Sequence, residues 1–367
     1  MKRRNWQLYE RYWLLDDDQH HRLRPLNCPF EYPYFTSHKM VSTINGLICI
    51  SGSGETSGNS ELSLPIILWN PSVRRHVVLP DFPPLDEGQE EADYTSVEFG
   101  YEATTDDYKV VVMRSGRYVR GHLVAHVYSL NSNTWRRVDV GPAMRTGGGN
   151  RRLYCTGAFV RGKIHWLVTR DYEIKVGRHI FSCLYSFDVK DEVFAKIALP
   201  PEDPTRDKCT YFPHVTLVED SLCVIDSPTL PSTIWMLKKE GSATSYSWTK
   251  LYSLDPIAEI FSAKLVVYLK NGEFLLDTHM DWDDCCTFKV YEPGSRRCTL
   301  LQKRSDQKHF VPHALVNHHE SLVFLDRRIR AVRAEEDPTS SRGRVQIRQS
   351  CWSCEVLITK DTTKIGK

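Results

Sequence analysis

Apolar and polar positions alternate in short runs along most of this chain, and the runs come in pairs. "IILWNPSVRRHVVLP" (residues 66–80) is one such pair: an apolar run, a turn at Asn70-Pro71-Ser72, a basic step and a second apolar run. The pattern recurs as "VYSLNSNTWRRVDV", "LYSFDVKDEVFAKIALP", "TIWMLKKEGSATSYSWTKLYSL" and "FKVYEPGSRRCTLL". A second kind of hairpin precedes each: "MVSTINGLICI" turns at Asn45-Gly46, "GAFVRGKIHWLV" at Arg161-Gly162, "VTLVEDSLCVID" near Glu219-Asp220 and "KLVVYLKNGEFLLDT" at Asn271-Gly272. Asn-Gly between alternating runs is the strongest short hairpin signal, because both residues accept the positive φ of a type I′ turn. In the second unit "SVEFGYEATTDDYKVVVM" fills this slot, with a turn at residues 104–107.

Two hairpins per unit, repeating about every 50–60 residues, predict four strands per unit and an all-β, kelch-like β-propeller. Five units are clear. A sixth is expected from "HALVNHHESLVFLD", turning at His318-His319, followed across the polar loop 327–344 by "RVQIRQSCWSCEVLIT". That gives six four-stranded blades over 38–360, an N-terminal extension over 1–37 and a tail over 361–367. The sustained period, without a linker, stands against a β-sandwich or two small β domains. Helical periodicity is confined to Asn5 to Leu15, where Trp6, Tyr9 and Trp13 form a stripe.

In a four-stranded blade, the turns between strands one and two and between three and four share one end. Those turns are mostly short here, with a longer one in "TIWMLKKEGSATSYSWTKLYSL". The connections at the other end are long and varied: "SGSGETSGNSEL", "RSGRYVRGH", "TRDYEIKVGRH", "THMDWDDC", "PDFPPLDEGQEEAD" and "VGPAMRTGGGNRR". Insertions gathered at one end of a repeat fold mark its binding face. Aromatic and Arg side chains dominate interface energetics. The expected protein-binding residues are therefore Arg114, Arg117, Tyr118 and Arg120 in one loop, Tyr172 in another and Trp282 in a third. Folding of the Tyr118 and Trp282 rings back over a neighbouring blade stays open as the alternative.

Composition narrows the chemistry. A net charge of +2 over 367 residues gives no global case for nucleic acid or an acidic membrane. The Arg-rich "RRIRAVR" and "SRGRVQIR" read as edge strands guarded by charge. No apolar run is long enough to span a bilayer. The start "MKRRNWQLYERYWLLDDDQHH" lacks the apolar core of a signal peptide. The 11 cysteines are scattered, many in apolar runs, so reduced thiols in the cytoplasm or nucleus are expected. There is no G-x-S-x-G elbow, and "SGSGETSG" lacks the Lys-Ser/Thr of a phosphate loop. "CWSC" is a single C-x-x-C pair, and a structural zinc site needs two more ligands. No catalytic residue, metal or cofactor is expected.

The motifs "INGLICI", "ILWNPSVRRHVVLP", "FGYEATTDDYKVVVM", "VYSLNSNTWRRV", "GAFVRGKIHWLV" and "LYSFDVKDEVFAKIALP", in that order, resemble those of the F-box-associated domain of plant F-box proteins. The resemblance covers about residues 38–326. It implies a propeller-like, non-catalytic module that recruits a target protein. In such proteins an N-terminal F-box docks onto a cullin–RING ubiquitin ligase through the linker subunit. Before Met40 this chain offers only "NWQLYERYWLL" and a Pro-rich stretch, so the linker-subunit partnership does not carry over from the residues shown. The competing reading is a propeller enzyme or carbohydrate-binding protein; a decayed family member is the third.

Overall fold

Positive φ marks where this chain turns back on itself. Asn45 and Gly46 (φ 49° and 79°) and Arg161 and Gly162 (50° and 76°) are type I′ pairs. Arg74, Asp106, Asn133 and Arg296, each the last residue of a longer turn, also sit in the left-handed region. The computed structural model describes residues 11–16, 22–26, 37–53, 65–83, 92–116, 123–141, 153–174, 177–201, 214–226, 232–239, 246–254, 264–269, 272–278, 287–302, 315–319, 321–323 and 355–361.

Two short strands come first, β1 (Arg11–Asp16) and β2 (Arg22–Leu26). Five antiparallel four-stranded sheets follow, each in chain order. The first holds β3 (Ser37–Ile44), β4 (Leu47–Ser53), β5 (Ile66–Asn70) and β6 (Arg75–Val78). The second holds β7 (Ala92–Glu102), β8 (Asp107–Gly116), β9 (Leu123–Ser129) and β10 (Thr134–Val138). The third holds β11 (Leu153–Val160), β12 (Lys163–Ile174), β13 (Gly177–Asp188) and β14 (Phe194–Ile197). The fourth holds β15 (His214–Val218), β16 (Ser221–Ile225), β17 (Ser232–Lys239) and β18 (Tyr246–Leu254). The fifth holds β19 (Lys264–Tyr268), β20 (Phe274–Thr278), β21 (Thr287–Glu292) and β22 (Arg297–Gln302). Last come β23 (Leu315–His319) and β24 (Glu355–Asp361). The innermost strands touch in cyclic order, β3, β7, β11, β15, β19, β23 and back to β3. The fold is an all-β propeller.

Two expectations need correction. The remaining strands form a mixed sheet ordered β2-β1-β24-β23, not a sixth blade of two antiparallel hairpins. β23 runs straight through His318 and His319, so no hairpin turns there, and β24 lies parallel to both β23 and β1. Parallel neighbours need a long crossover, which the stretch between β23 and β24 supplies in place of the expected turn. Arg11 to Leu15, expected in a helix, lie in β1, paired residue by residue with β24 and β2. Tertiary pairing overrides a short amphipathic stripe. The rest of that stripe lies outside the described residues.

The core sits between facing sheets. "KVVVM" is apolar without alternation because β8 is buried on both faces. Val110 and Val112 pack toward Ile44, Leu47 and Leu68 of the first sheet. Val111 and Met113 pack toward Ile164, Trp166 and Phe187 of the third. The outermost strands are half wet: in β6, Arg75, His76 and Val78 are exposed. At the end of the third strand in four of the five sheets a buried aromatic precedes a polar residue: Trp69-Asn70, Tyr128-Ser129, Phe187-Asp188 and Tyr291-Glu292. The polar member organises the turn. Asn70 Oδ1 accepts from the Ser72 and Val73 amides (2.9 and 3.4 Å), and Asp188 Oδ1 accepts from those of Lys190 and Asp191 (both 3.1 Å).

Candidate functional site

The strand order places the first and third turns of each regular sheet at one end of the propeller, and the second turns and the connections between sheets at the other. At the long-loop end, Arg117, Tyr118, Arg120 and Trp282 lie outside the described residues. Tyr172 is described, and its setting corrects an expectation. "TRDYEIKVGRH" is not an open loop: β12 and β13 stay paired to Ile174↔Gly177, with Tyr172 opposite His179. β12 has 12 residues from its turn where β16 has 5, which carries this ribbon roughly 20 Å further. The signal was present in the sequence. Tyr172, Ile174 and Ile180 are residues suited to strands, and only Lys175-Val176 separate the two arms.

Arg114 is also corrected. It belongs to β8, is 3% exposed and faces the interior. Its guanidinium stacks on Phe82 (4.8 Å to the ring centroid) and donates from Nη2 to the Pro83 carbonyl (2.5 Å). Phe82 in turn meets Trp135 edge-on, and Trp135 Nε1 donates to the Pro80 carbonyl (2.8 Å). These contacts pin the connection from the first sheet to the second. Two more apolar residues along β8 would have revealed the burial: Arg114 continues the face of Val110 and Val112.

The tight-turn end carries the densest electrostatics. Lys109 Nζ lies 2.8 Å from Glu102 Oε2 and 2.9 Å from Glu192 Oε1, and donates to the Val189 carbonyl at 2.9 Å. Arg136 also pairs with Glu192. Hydrogen bonds from Lys109 and Thr104 pull the Glu102 carboxyl down to about 2. The node fastens the second sheet to the turn of the third. Below it, Glu98 of β7 lies against Gly157 of β11, where an added Cβ would fall 2.1 Å from the carboxyl carbon. Glycine there permits the close approach of two innermost strands.

None of these groups is poised for chemistry. Burial pushes the Cys223 thiol up to about 12, and that of Cys49 well above its usual range. Neither is a thiolate nucleophile. His165, 5% exposed between the third and fourth sheets, is pulled down to about 4 by burial and is neutral at pH 7. No three His, Cys, Asp or Glu side chains are grouped to hold a metal among the described residues. No helix among them is long and apolar enough to cross a membrane.

The model of the F-box associated beta propeller domain matches residues 27–322. A putative F-box protein of Arabidopsis thaliana is 30% identical over 46% of this chain and 43% of its own length. A second putative F-box protein of that plant is 25% identical over 77% of this chain and 67% of its own. An F-box/kelch-repeat protein from the same organism is 23% identical over 69% and 67%. This chain thus spans less than half of the first relative and about two thirds of the others. With the matching model covering most of the chain, and the propeller on the page, the protein belongs to the F-box-associated β-propeller family.

Proposed function

We propose that the chain is a non-catalytic module that holds a target protein at its long-loop end, as the substrate-recruiting part of a ubiquitin-ligase adaptor. The observation that carries this reading is the asymmetry of the two ends. Short turns with fixed caps and an ion node occupy one, while the long connections and the projecting β12–β13 ribbon occupy the other. Loops held by a rigid scaffold present anchors at low entropic cost. Arg117, Tyr118, Arg120, Tyr172 and Trp282 are the proposed anchors; Arg114 is left out, since its side chain is spent inside the fold. The propeller is read as kelch-like, and the compartment as cytoplasm or nucleus. Contact with the ligase linker subunit is the part of such an adaptor that an F-box supplies.

Affinity capture from plant extract with the tagged chain tests the reading. Replacing Tyr118 and Trp282 together by Ala is expected to abolish the specific partner set while leaving the melting temperature unchanged. An unchanged partner set removes these two residues from the site.

A further inference from the structure

Among the outermost strands of the five regular sheets, β18 is exceptional. It has 9 residues, against 4 in β6, 5 in β10, 4 in β14 and 6 in β22. Among the described residues its outer edge has no strand partner, since it ends the order of the fourth sheet. Natural sheets keep such edges short, because a row of free amides and carbonyls is a template for another strand.

The side chains beside this edge are distinctive too. Pairing Leu237↔Trp248, Lys239↔Tyr246 and Trp235↔Lys250 puts all six on one face of the sheet. The centre of that face packs against Ile197 and Leu199 of the third sheet, and Trp248 Nε1 donates to the Ala198 carbonyl at 2.8 Å. On either side of Trp248 the surface opens. Tyr246 is 40% exposed, and Val193, on the adjoining turn of the third sheet, is 59% exposed. The Tyr246 phenol lies close enough to the Lys163 ammonium to act on it electrostatically. Lys239, Lys250 and Lys190 are exposed with no carboxylate partner among the described residues. Asp188 is committed to Lys163 (3.0 Å) and to two turn amides, which leaves Asp191 as the opposing charge.

We propose that this rim is a docking strip, separate from the long-loop end, for an extended segment of a partner protein. The segment adds as a further strand to the edge of β18. It places an apolar side chain against Tyr246 and Val193, and carboxylates against Lys239 and Lys250. Main-chain pairing supplies affinity in this mode, and the flanking side chains supply selectivity.

An array of peptides of about eight residues, each with a central apolar residue flanked by Asp and Glu, is the probe, with Lys-flanked counterparts as controls. Binding is read by fluorescence anisotropy, and edge protection by amide exchange of residues 246–254. The acidic set is expected to bind, to protect β18, and to weaken about tenfold or more in the Lys239→Glu/Lys250→Glu double variant and in Tyr246→Ala. The charge-reversed variant is expected to prefer the Lys-flanked set. Three results overturn the proposal: no binding by any acidic peptide, binding indifferent to all three substitutions, or self-association of the chain through the same edge seen by sedimentation.

Discussion

The tight-turn end and the long-loop end are built from the same strands, yet they are specified in opposite ways. At the tight-turn end nearly every residue has a structural task. Asn70 ties its own turn and also donates to the Ser321 and Val323 carbonyls (3.1 and 2.7 Å), fastening the segment after β23 to the first sheet. Asp107 accepts from Ser129 Oγ (2.6 Å) and the Asn131 amide (2.9 Å). Lys109 joins two sheets. At the long-loop end, the connections differ in length and composition from unit to unit. A repeat fold separates stability from recognition in this way, because loop length costs little once the strands are fixed.

The largest expected effect breaks the tight-turn end. Lys109→Met leaves Glu102 and Glu192 facing each other with Arg136 as the remaining cation, and is expected to cost about 3–5 kcal/mol in urea unfolding. A loss within ordinary surface scatter would show that the node is not what joins the second and third sheets.

Acid pH sharpens the same contrast. His165 takes a proton near its ordinary 6.5 when unfolded, but only near 4 when folded. The unfolded state therefore binds the extra proton in that window, and stability falls as pH drops from 6.5 to 4. Integrated over the window, the loss is about 2–3 kcal/mol. Glu102 has the same sign over a lower range, since its carboxyl is held at about 2 when folded against 4.5 when unfolded, so its contribution is lost as pH falls from 4.5 toward 2. Urea unfolding at pH 7 and pH 4.5 should show a slope that flattens in His165→Leu; an unaltered slope would assign the acid sensitivity elsewhere.

The smallest effect is a gain. Arg74 and Arg296 hold φ of 55° and 54°, a conformation that costs a side chain about 1 kcal/mol relative to glycine. Arg296→Gly is expected to raise stability by roughly 0.5–1 kcal/mol in thermal unfolding. A loss would mean that the Arg296 side chain contributes more than its backbone costs.

Much of this fold could be read from the sequence where local chemistry decides. Asn45-Gly46 and Arg161-Gly162 turn where the hairpin signal puts them, and the unit period maps onto successive sheets. What could not be read depends on distant partners. β24 pairs with β1, separated from it by most of the chain, and no pattern within residues 355–361 names that partner. The same holds for Arg114. Its sequence neighbours Arg117 and Arg120 suggest a basic loop, while Phe82 and Pro83, some thirty residues upstream, decide its burial. Glu192 joined the node from a different unit, through a turn that looks merely polar. In the β12–β13 ribbon the charged residues Arg170, Asp171, Glu173 and Arg178 interrupt the apolar alternation, so the strand signal of Tyr172, Ile174 and Ile180 is present but reads as a polar loop.

The central claim is that one end carries the stability and the other the binding. The direct test removes residues 170–181, joins Thr169 to Ser182 through Asn-Gly, and measures both thermal unfolding and partner capture beside the intact chain. The account predicts unfolding within about 1 kcal/mol of the intact chain, together with loss of captured partners. Unfolding of the shortened chain, or capture as complete as before, would contradict it.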